Sequence, residues 1–239
     1  MIELVDYMMK TFGFEYEVFL STRDKSNKFA GSIEDWEKAT GTLEDVLKEK
    51  NIIYKVEEGE AVFYGPKIDV KMKDSLGRLW QGPTVQFDFN LSRRFNVTYI
   101  GEDGKEHYVM MVHRTVLGSM ERFVGTLIEH YGGAFPIWLS PVQVKILTIG
   151  EDNIPYAKEM QNLLQCKQIR TELDNRDEKI GLKIRESELD KIPYMLIIGD
   201  REVKEKTVAI RKHGNRDCTK MNIEHFVNLI RTQIESKKY

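Results

Sequence analysis

The spacing of hydrophobic residues changes once along the chain, near residue 140. Before that point, helical spacing in residues 2–12 and 35–51 predicts two helices, the second with a possible break at Gly41. Residues 67–73 and 84–90 alternate between apolar and polar side chains, and residues 74–77 between them are turn formers. This pattern predicts two antiparallel strands joined as a hairpin.

A further strand and helix are expected before the change of pattern. Residues 107–118, HYVMMVHRTVLG, are apolar on both faces, which is typical of a central strand. The helical spacing of Phe123, Leu127 and Tyr131 predicts a helix that begins at Met120.

The segment GGAFPIWLSP, residues 132–141, is the predicted domain boundary because it combines two glycines and two prolines with bulky apolar residues. After it, four apolar strands alternate with three amphipathic helices, the last one at the C-terminus. We therefore predict an α/β fold class with one domain over residues 1–139 and a smaller α/β domain over residues 142–239.

Composition and charge argue against some classes of protein but do not identify one. The net charge of −2 over 239 residues argues against a generic nucleic-acid coat, and no apolar run is long enough to cross a membrane. Cys166 and Cys218 lack metal-type spacing, so we expect reduced thiols and a cytoplasmic protein.

Arg122 is the first candidate for chemistry. It falls in the first turn of the predicted helix, where the helix dipole disfavours a cation. Ser119 is a candidate N-cap. Either Arg122 forms a surface ion pair with Glu121 or Glu129, or free N–H groups and the guanidinium together receive an anion such as a phosphate.

A row of polar residues on the second predicted strand is the next candidate. Thr84, Gln86, Asp88 and Asn90 share one face, which suits a sugar, a base edge or an amino acid, or else is a solvated sheet face. Tyr64 and Lys67 lie beside it in FYGPKID, where Gly65-Pro66 could let a ligand approach closely.

The other candidates are weaker. His113 is read either as a satisfied core residue or as a single metal ligand. Residues 179–185, KIGLKIR, form a basic helix edge that is read as a solvated face. No hydrolase motif and no Walker loop is present.

In order along the chain, LSTR, FYGPKID, TVQFDFNLSRRFNVTYIGEDG, LGSMERF, DEKIGLKIRE and IPYMLIIGD resemble the C-terminal half of the bacterial-type threonyl-tRNA synthetases, a family of class II enzymes. LGSMERF is similar to class II motif 3. The resemblance implies part of an antiparallel-sheet catalytic domain followed by a class IIa anticodon-binding domain. It also implies an aminoacyl-tRNA ligase that uses ATP with Mg²⁺ to join threonine to threonine tRNA.

The same resemblance implies a role for each candidate residue. Catalysis would involve Arg122 on the ATP phosphates and Lys67 at the reacting centre. Gln81, Thr84 and Ser119 would also contact ATP, and Tyr64 and Gln86 would contact threonine or its adenylate. His113 would be one of three ligands of a zinc ion that distinguishes threonine from valine. Glu202 and Arg211 would contact anticodon bases.

The chain as given departs from the family because motifs 1 and 2 and two zinc ligands would lie upstream. We therefore expect negligible activity from these 239 residues by themselves. In the full-length protein the resemblance implies a homodimer. A non-catalytic tRNA-binding module and another class IIa synthetase, such as the prolyl or glycyl enzyme, remain as alternatives.

Overall fold

The computed structural model describes residues 1–26 and 28–237, and the chain divides after His130 into two units. The elements of the first unit are α1 (Ile2–Thr11), β1 (Tyr16–Thr22), α2 (Ile33–Glu49), β2 (Tyr54–Glu58), β3 (Lys67–Lys73), β4 (Leu79–Asp88), α3 (Asn90–Arg94), β5 (Thr98–Ile100), β6 (Glu106–Tyr108), β7 (Met111–Thr115) and α4 (Met120–Tyr131), whose last residue already belongs to the second unit.

The main sheet of the first unit has the strand order β2-β1-β3-β4-β7. The β1–β2 pair is parallel, and every other pair is antiparallel. One face is apolar: Ile68 and Val70 of β3 are buried there, and α2 packs on this side with Leu43 and Leu47 buried. The predicted antiparallel hairpin of β3 and β4 is confirmed.

Two predictions for the first unit are wrong. Gly41 does not break α2, because nothing crowds that position and four residues of one helix face are buried along the whole length of the helix. Strand β7 lies at an edge of the sheet rather than in its centre, and its Val112 and His113 are exposed.

The elements of the second unit are β8 (Val144–Thr148), α5 (Ile154–Cys166), β9 (Thr171–Asp174), α6 (Ile180–Leu189), β10 (Tyr194–Ile198), α7 (Asp200–Glu205), β11 (Val208–Lys212), β12 (Cys218–Met221) and α8 (Ile223–Ser236). The sheet order is β12-β11-β10-β8-β9, with parallel β8, β9 and β10. The predicted alternation of strands and helices is confirmed, and α5 and α8 bury apolar faces in one core.

The cysteines and the apolar segments were also assessed from the sequence. Both cysteines are free thiols, as expected. In the ranges 1–26 and 28–237, no helix combines the length and the apolar character that a membrane span requires.

Candidate functional site

The polar face of the first sheet brings most of the candidate residues together. In an antiparallel pair, directly opposed residues share a face. Lys67 on β3, Gln86 on β4 and His113 on β7 are opposed in one row, and Asp69, Thr84 and Thr115 form the next row. The alternation seen in the sequence therefore does place these side chains on a common surface.

Gln81 reaches that surface through a β-bulge. Between the pairs Asp69–Thr84 and Lys71–Gln81, strand β4 advances by one residue more than β3 does. Gln81 and Thr84 are three residues apart, so in a regular strand they would point to opposite faces, and the bulge places them on the same one. The bulge also explains how Pro83 is tolerated inside a strand.

A buried carboxylate holds Lys67 and Gln81. Lys67 Nζ lies 2.6 Å from Asp69 Oδ2, and the Asp69 side chain is 1% exposed. Ser21 of β1 donates a hydrogen bond of 2.8 Å to the same oxygen, and the Gln81 amide donates to the other one. This ion pair places an ammonium group on the polar face without leaving it uncompensated.

A second group of hydrogen bonds runs along β4. The Tyr64 hydroxyl donates to Gln86 Oε1 at 2.7 Å, and Gln86 Nε2 donates to Thr84 Oγ1 at 3.1 Å. The main-chain N–H of Thr84 donates to Thr115 Oγ1 on β7. Burial, together with the charge of Asp88, raises the pKa of Tyr64, so its hydroxyl stays a donor at neutral pH.

Gly65 has a different role from the expected one. A Cβ placed on Gly65 would lie 2.0 Å from the carbonyl oxygen of Phe87. The close approach at this glycine is therefore made by the neighbouring main chain of β4 and not by a ligand.

His113 faces the polar surface at the edge of the sheet, so the interpretation as a core histidine is wrong. Its Nε2 lies 2.9 Å from Asp88 Oδ2, and its side chain is 43% exposed. The other Asp88 oxygen accepts the main-chain N–H groups of Asn90 and Leu91. These bonds start α3 at Asn90, so Asn90 leaves the polar row that the strand pattern assigned to it.

Arg122 lies in the first turn of α4, as predicted, and Ser119 caps that helix, since Ser119 Oγ accepts the main-chain N–H of Arg122 at 3.3 Å. Among the described residues, no carboxylate is within ion-pairing distance of Arg122. Glu121 accepts instead from the Ser119 hydroxyl, and Glu129 accepts from Ser75. The two surface ion pairs considered for Arg122 are therefore absent.

The guanidinium of Arg122 is directed to β4. Its Nη1 donates to the carbonyl oxygen of Gln81 at 3.2 Å, and its Cζ lies 5.8 Å from the centre of the Trp80 ring. One main-chain carbonyl leaves most of the five N–H donors of an arginine available for an anion. The sequence pattern did not single out Trp80, which contacts Arg122, or Asp69, which binds Lys67 and Gln81.

The two candidates in the second unit, Glu202 and Arg211, have different hydrogen-bond and ion-pair partners. Glu202 Oε2 accepts the main-chain N–H of Gly199 at 3.1 Å and so caps α7. Arg211 on β11 lies 3.4 Å from Glu188, and its side chain is 19% exposed. Each side chain keeps polar atoms beyond these contacts.

The basic helix edge of residues 179–185 is not fully solvated, contrary to the expectation. Lys183 is 1% exposed, and its Nζ donates to the carbonyl oxygens of Thr148 at 2.9 Å and Asp174 at 3.3 Å. The ammonium group thus binds the carboxyl ends of β8 and β9. It supports the fold and is not available to a ligand.

Two family models match the chain. The model described as tRNA synthetase class II core domain (G, H, P, S and T) matches residues 1–131, and the model described as anticodon binding domain matches residues 143–233.

Among curated proteins, the threonine–tRNA ligase of Acetivibrio thermocellus is 52% identical over 99% of this chain, and that of Carboxydothermus hydrogenoformans is 48% identical over 99%. Each alignment covers 37% of the relative, so the chain spans little more than a third of the length of these curated relatives.

Solved structures of aminoacyl-tRNA synthetases are also similar to this chain. The RNA binding domain of threonyl-tRNA synthetase from Cryptosporidium parvum Iowa II matches 97% of this chain with a TM-score of 0.89 and 33% identity, over 58% of its own length. Prolyl-tRNA synthetase from Cryptosporidium parvum matches 98% of this chain with a TM-score of 0.65 and 18% identity, over 43% of its length, which is a likeness of fold.

Proposed function

The chain belongs to the class II aminoacyl-tRNA synthetases and matches the C-terminal 37% of threonine–tRNA ligases, and we propose that it works as that part of such a ligase. The polypeptide would activate threonine with ATP and Mg²⁺ and transfer it to threonine tRNA, as a homodimer in the cytoplasm. The prolyl and glycyl alternatives have less support, since the relatives near 50% identity are threonine–tRNA ligases.

The observation that supports this proposal most directly is the surroundings of the Arg122 guanidinium. Its guanidinium has no carboxylate partner among the described residues, is anchored by one carbonyl, and lies where the N–H groups of α4 begin. Such a group is suited to bind the phosphates of ATP bidentately. Ser119, which caps the same helix, would lie beside the nucleotide.

The polar face of the sheet would hold the rest of the reactants. Gln81 and Thr84 would contact ATP, and the hydrogen-bonded Tyr64 and Gln86 would hold threonine or its adenylate. Lys67 would be at the reacting centre, where Asp69 keeps its ammonium group in one position.

The proposed reaction has two balanced steps. A threonine carboxylate oxygen attacks the α-phosphorus of ATP, and the bond to the β-phosphate breaks, which gives threonyl-adenylate and pyrophosphate. A ribose hydroxyl oxygen at the 3′ end of the tRNA then attacks the carbonyl carbon of the adenylate and loses its proton to solvent, the bond from that carbon to the phosphate oxygen breaks, and AMP leaves with the electron pair. Arg122 would neutralise phosphate charge in the first step.

Zinc does not fit the residues of this chain alone. His113 contacts Asp88 through Nε2, so only its Nδ1 is left as a possible metal ligand. Within the part of the chain that the structure describes, no group of three or more potential ligands occurs. A zinc site would need ligands from a longer polypeptide, and we assign no step to the ion.

The second unit would bind the anticodon, with Glu202 and Arg211 in contact with bases. Anticodon bases are unstacked in the loop, so their edges can accept and donate hydrogen bonds to such side chains. We keep residues 1–139 and 142–239 as the proposed limits of the catalytic and anticodon-binding domains.

An ATP–pyrophosphate exchange assay with threonine tests the catalytic proposal. We expect negligible exchange from these 239 residues and robust exchange from a polypeptide that adds the upstream part found in the relatives. In that longer protein, Arg122→Ala should lower the exchange rate by about 100-fold or more. The matched control is Arg94→Ala, an exposed arginine in the same unit, and equal rates for the two variants would contradict the role of Arg122.

A non-catalytic tRNA-binding module is the second candidate, because the anticodon binding domain is matched over residues 143–233 within this chain. Filter binding of threonine tRNA to the 239 residues, with native and altered anticodons, separates the candidates. Both candidates predict binding that is lost with an altered anticodon and in Arg211→Gln, so such binding supports the module only if the longer polypeptide shows no ATP–pyrophosphate exchange. Absence of binding excludes the module.

A further inference from the structure

The end of the β3–β4 hairpin carries an aromatic ring with two guanidinium groups near it. The Cζ atom of Arg78 lies 5.6 Å from the centre of the Trp80 ring, and that of Arg122 lies 5.8 Å from it. Trp80 is 38% exposed. A cation over an indole face is attracted by the quadrupole of the ring, so Trp80 stabilises the position of the Arg122 guanidinium by a cation–π interaction.

The ring itself is held by Asp74. The indole N–H of Trp80 donates to Asp74 Oδ2 at 2.8 Å, and Arg78 Nε donates to the same oxygen at 2.6 Å. Oδ1 accepts the main-chain N–H groups of Leu76 and Arg78. Burial by itself would raise the pKa of Asp74, but these hydrogen bonds bring it down to about 2, so the carboxylate stays charged at neutral pH.

The hairpin is also fixed against α4 independently of Trp80. Ser75 Oγ donates to Glu129 Oε1 at 2.7 Å. A Cβ on Gly118 would lie 2.8 Å from the carbonyl oxygen of Gly82, so the loop before α4 is in close contact with β4. The helix that carries Arg122 and the strand that carries Trp80 thus keep a fixed separation.

We propose that Trp80, held by Asp74, is a positioning residue that keeps the Arg122 guanidinium in place for an anion. An exposed arginine loses side-chain entropy when it binds a phosphate. Stacking on a fixed ring removes part of that freedom beforehand, which favours binding. The functional consequence rests on the proposed role of Arg122, whereas the ordering of the side chain does not.

The first test measures that ordering in the 239-residue chain. The heteronuclear {¹H}–¹⁵N NOE of the Arg122 Nε–H reports motion of the guanidinium. We expect a rigid signal in the wild type, a mobile one in Trp80→Leu, and intermediate values in Trp80→Phe, which keeps the ring face, and in Asp74→Asn. Phe95→Leu, the same type of change at an exposed ring elsewhere in the unit, should have no effect. An Arg122 signal that stays rigid in Trp80→Leu overturns the proposal. If the amide spectrum shows that Trp80→Leu is unfolded, the same comparison is made with Trp80→Phe.

The second test uses the longer polypeptide that adds the upstream part found in the relatives, and measures its affinity for tripolyphosphate with Mg²⁺ by calorimetry. Trp80→Leu should weaken binding by about two- to fivefold, and Trp80→Phe by less, because the attraction is that of an exposed cation–π pair. Equal affinity in wild type and Trp80→Leu refutes the effect on binding. If the wild type itself does not bind tripolyphosphate, the proposed function loses its support, and the NOE comparison still decides whether Trp80 orders Arg122.

Discussion

Replacing Gly118 by alanine tests how closely the start of α4 must be held against β4. Gly118 has φ +74°, in the left-handed region, and its Cβ position is 2.8 Å, 3.0 Å and 3.2 Å from the carbonyl oxygen, carbonyl carbon and Cα of Gly82. All three neighbours are main-chain atoms, so no flexible side chain can move aside.

Two costs add in this variant. An L-residue in the left-handed region costs roughly 1–2 kcal/mol, and forcing main-chain atoms apart in a packed region typically costs roughly 1–3 kcal/mol, part of which is relieved by movement. We expect a loss of about 2–4 kcal/mol in the free energy of unfolding of the first unit. The Arg122–Gln81 hydrogen bond is already 3.2 Å long, so a shift of a few tenths of an ångström removes it.

Urea unfolding followed by tryptophan fluorescence measures this loss. A Trp138→Phe background leaves Trp36 and Trp80 as reporters of the first unit. The matched control is Gly125→Ala in α4 itself, where a Cβ meets nothing within 4 Å, and it should stabilise by about 0.5–1 kcal/mol. The same substitution should therefore have opposite signs at two positions seven residues apart. A Gly118→Ala midpoint at or above that of the wild type would refute the reasoning.

Three further variants test other contacts. Hydrogen bonds from Arg93 hold the pKa of Asp35 at about 2, below its unfolded value, so the stability that this pair confers is complete above about pH 5 and is lost as the pH falls towards 2. Asp35→Asn should lower the urea midpoint at pH 7 by the equivalent of roughly 1–2 kcal/mol and have little effect at pH 2, and an equal loss at both pH values would contradict the linkage. Lys183→Met removes the ammonium donor from the carbonyl oxygens of Thr148 and Asp174, of which Asp174 keeps a hydrogen bond from the Thr148 hydroxyl, and should cost about 1–3 kcal/mol in the unfolding of the second unit. Hydrogen exchange of β8 and β9 measures this loss, and unchanged protection of these strands would show the ammonium to be dispensable. Gly65→Ala places a methyl group on the Phe87 carbonyl and should lower the thermal midpoint by several degrees, and an unaltered midpoint would mean that β3 and β4 can separate there without cost.

The elements that the sequence predicted well are those with one covered face. Strands β3 and β4 alternate because one side packs on helices and the other is polar, so the period of two is visible. Strand β1 lacks this signal, since Val18, Phe19, Leu20 and Ser21 are all buried and no alternation remains. The position of β7 in the sheet was also invisible, because an apolar run does not say which neighbours a strand has.

The candidate site was predictable in its members and not in its contacts. Residues two apart on one strand share a face, so Thr84 and Gln86 could be grouped from spacing alone. Arg122 and Gln81 are 41 residues apart, and only the folded chain brings the guanidinium to that carbonyl. The burial of Lys183 was equally hidden in the sequence, because the carbonyl groups that accept its hydrogen bonds lie at the ends of two other elements, β8 and β9.

The bulge at Gly82-Pro83 gives the main-chain conformation of β4 a functional consequence. Side chains alternate along a regular strand, so with the same residues and no bulge the Gln81 amide would point to the apolar side and the Trp80 indole to the side of Thr84. The extra residue reverses this assignment and brings Gln81 opposite Lys71. A glycine and a proline, neither of which carries a polar side chain, thereby decide which side chains before them reach the polar surface.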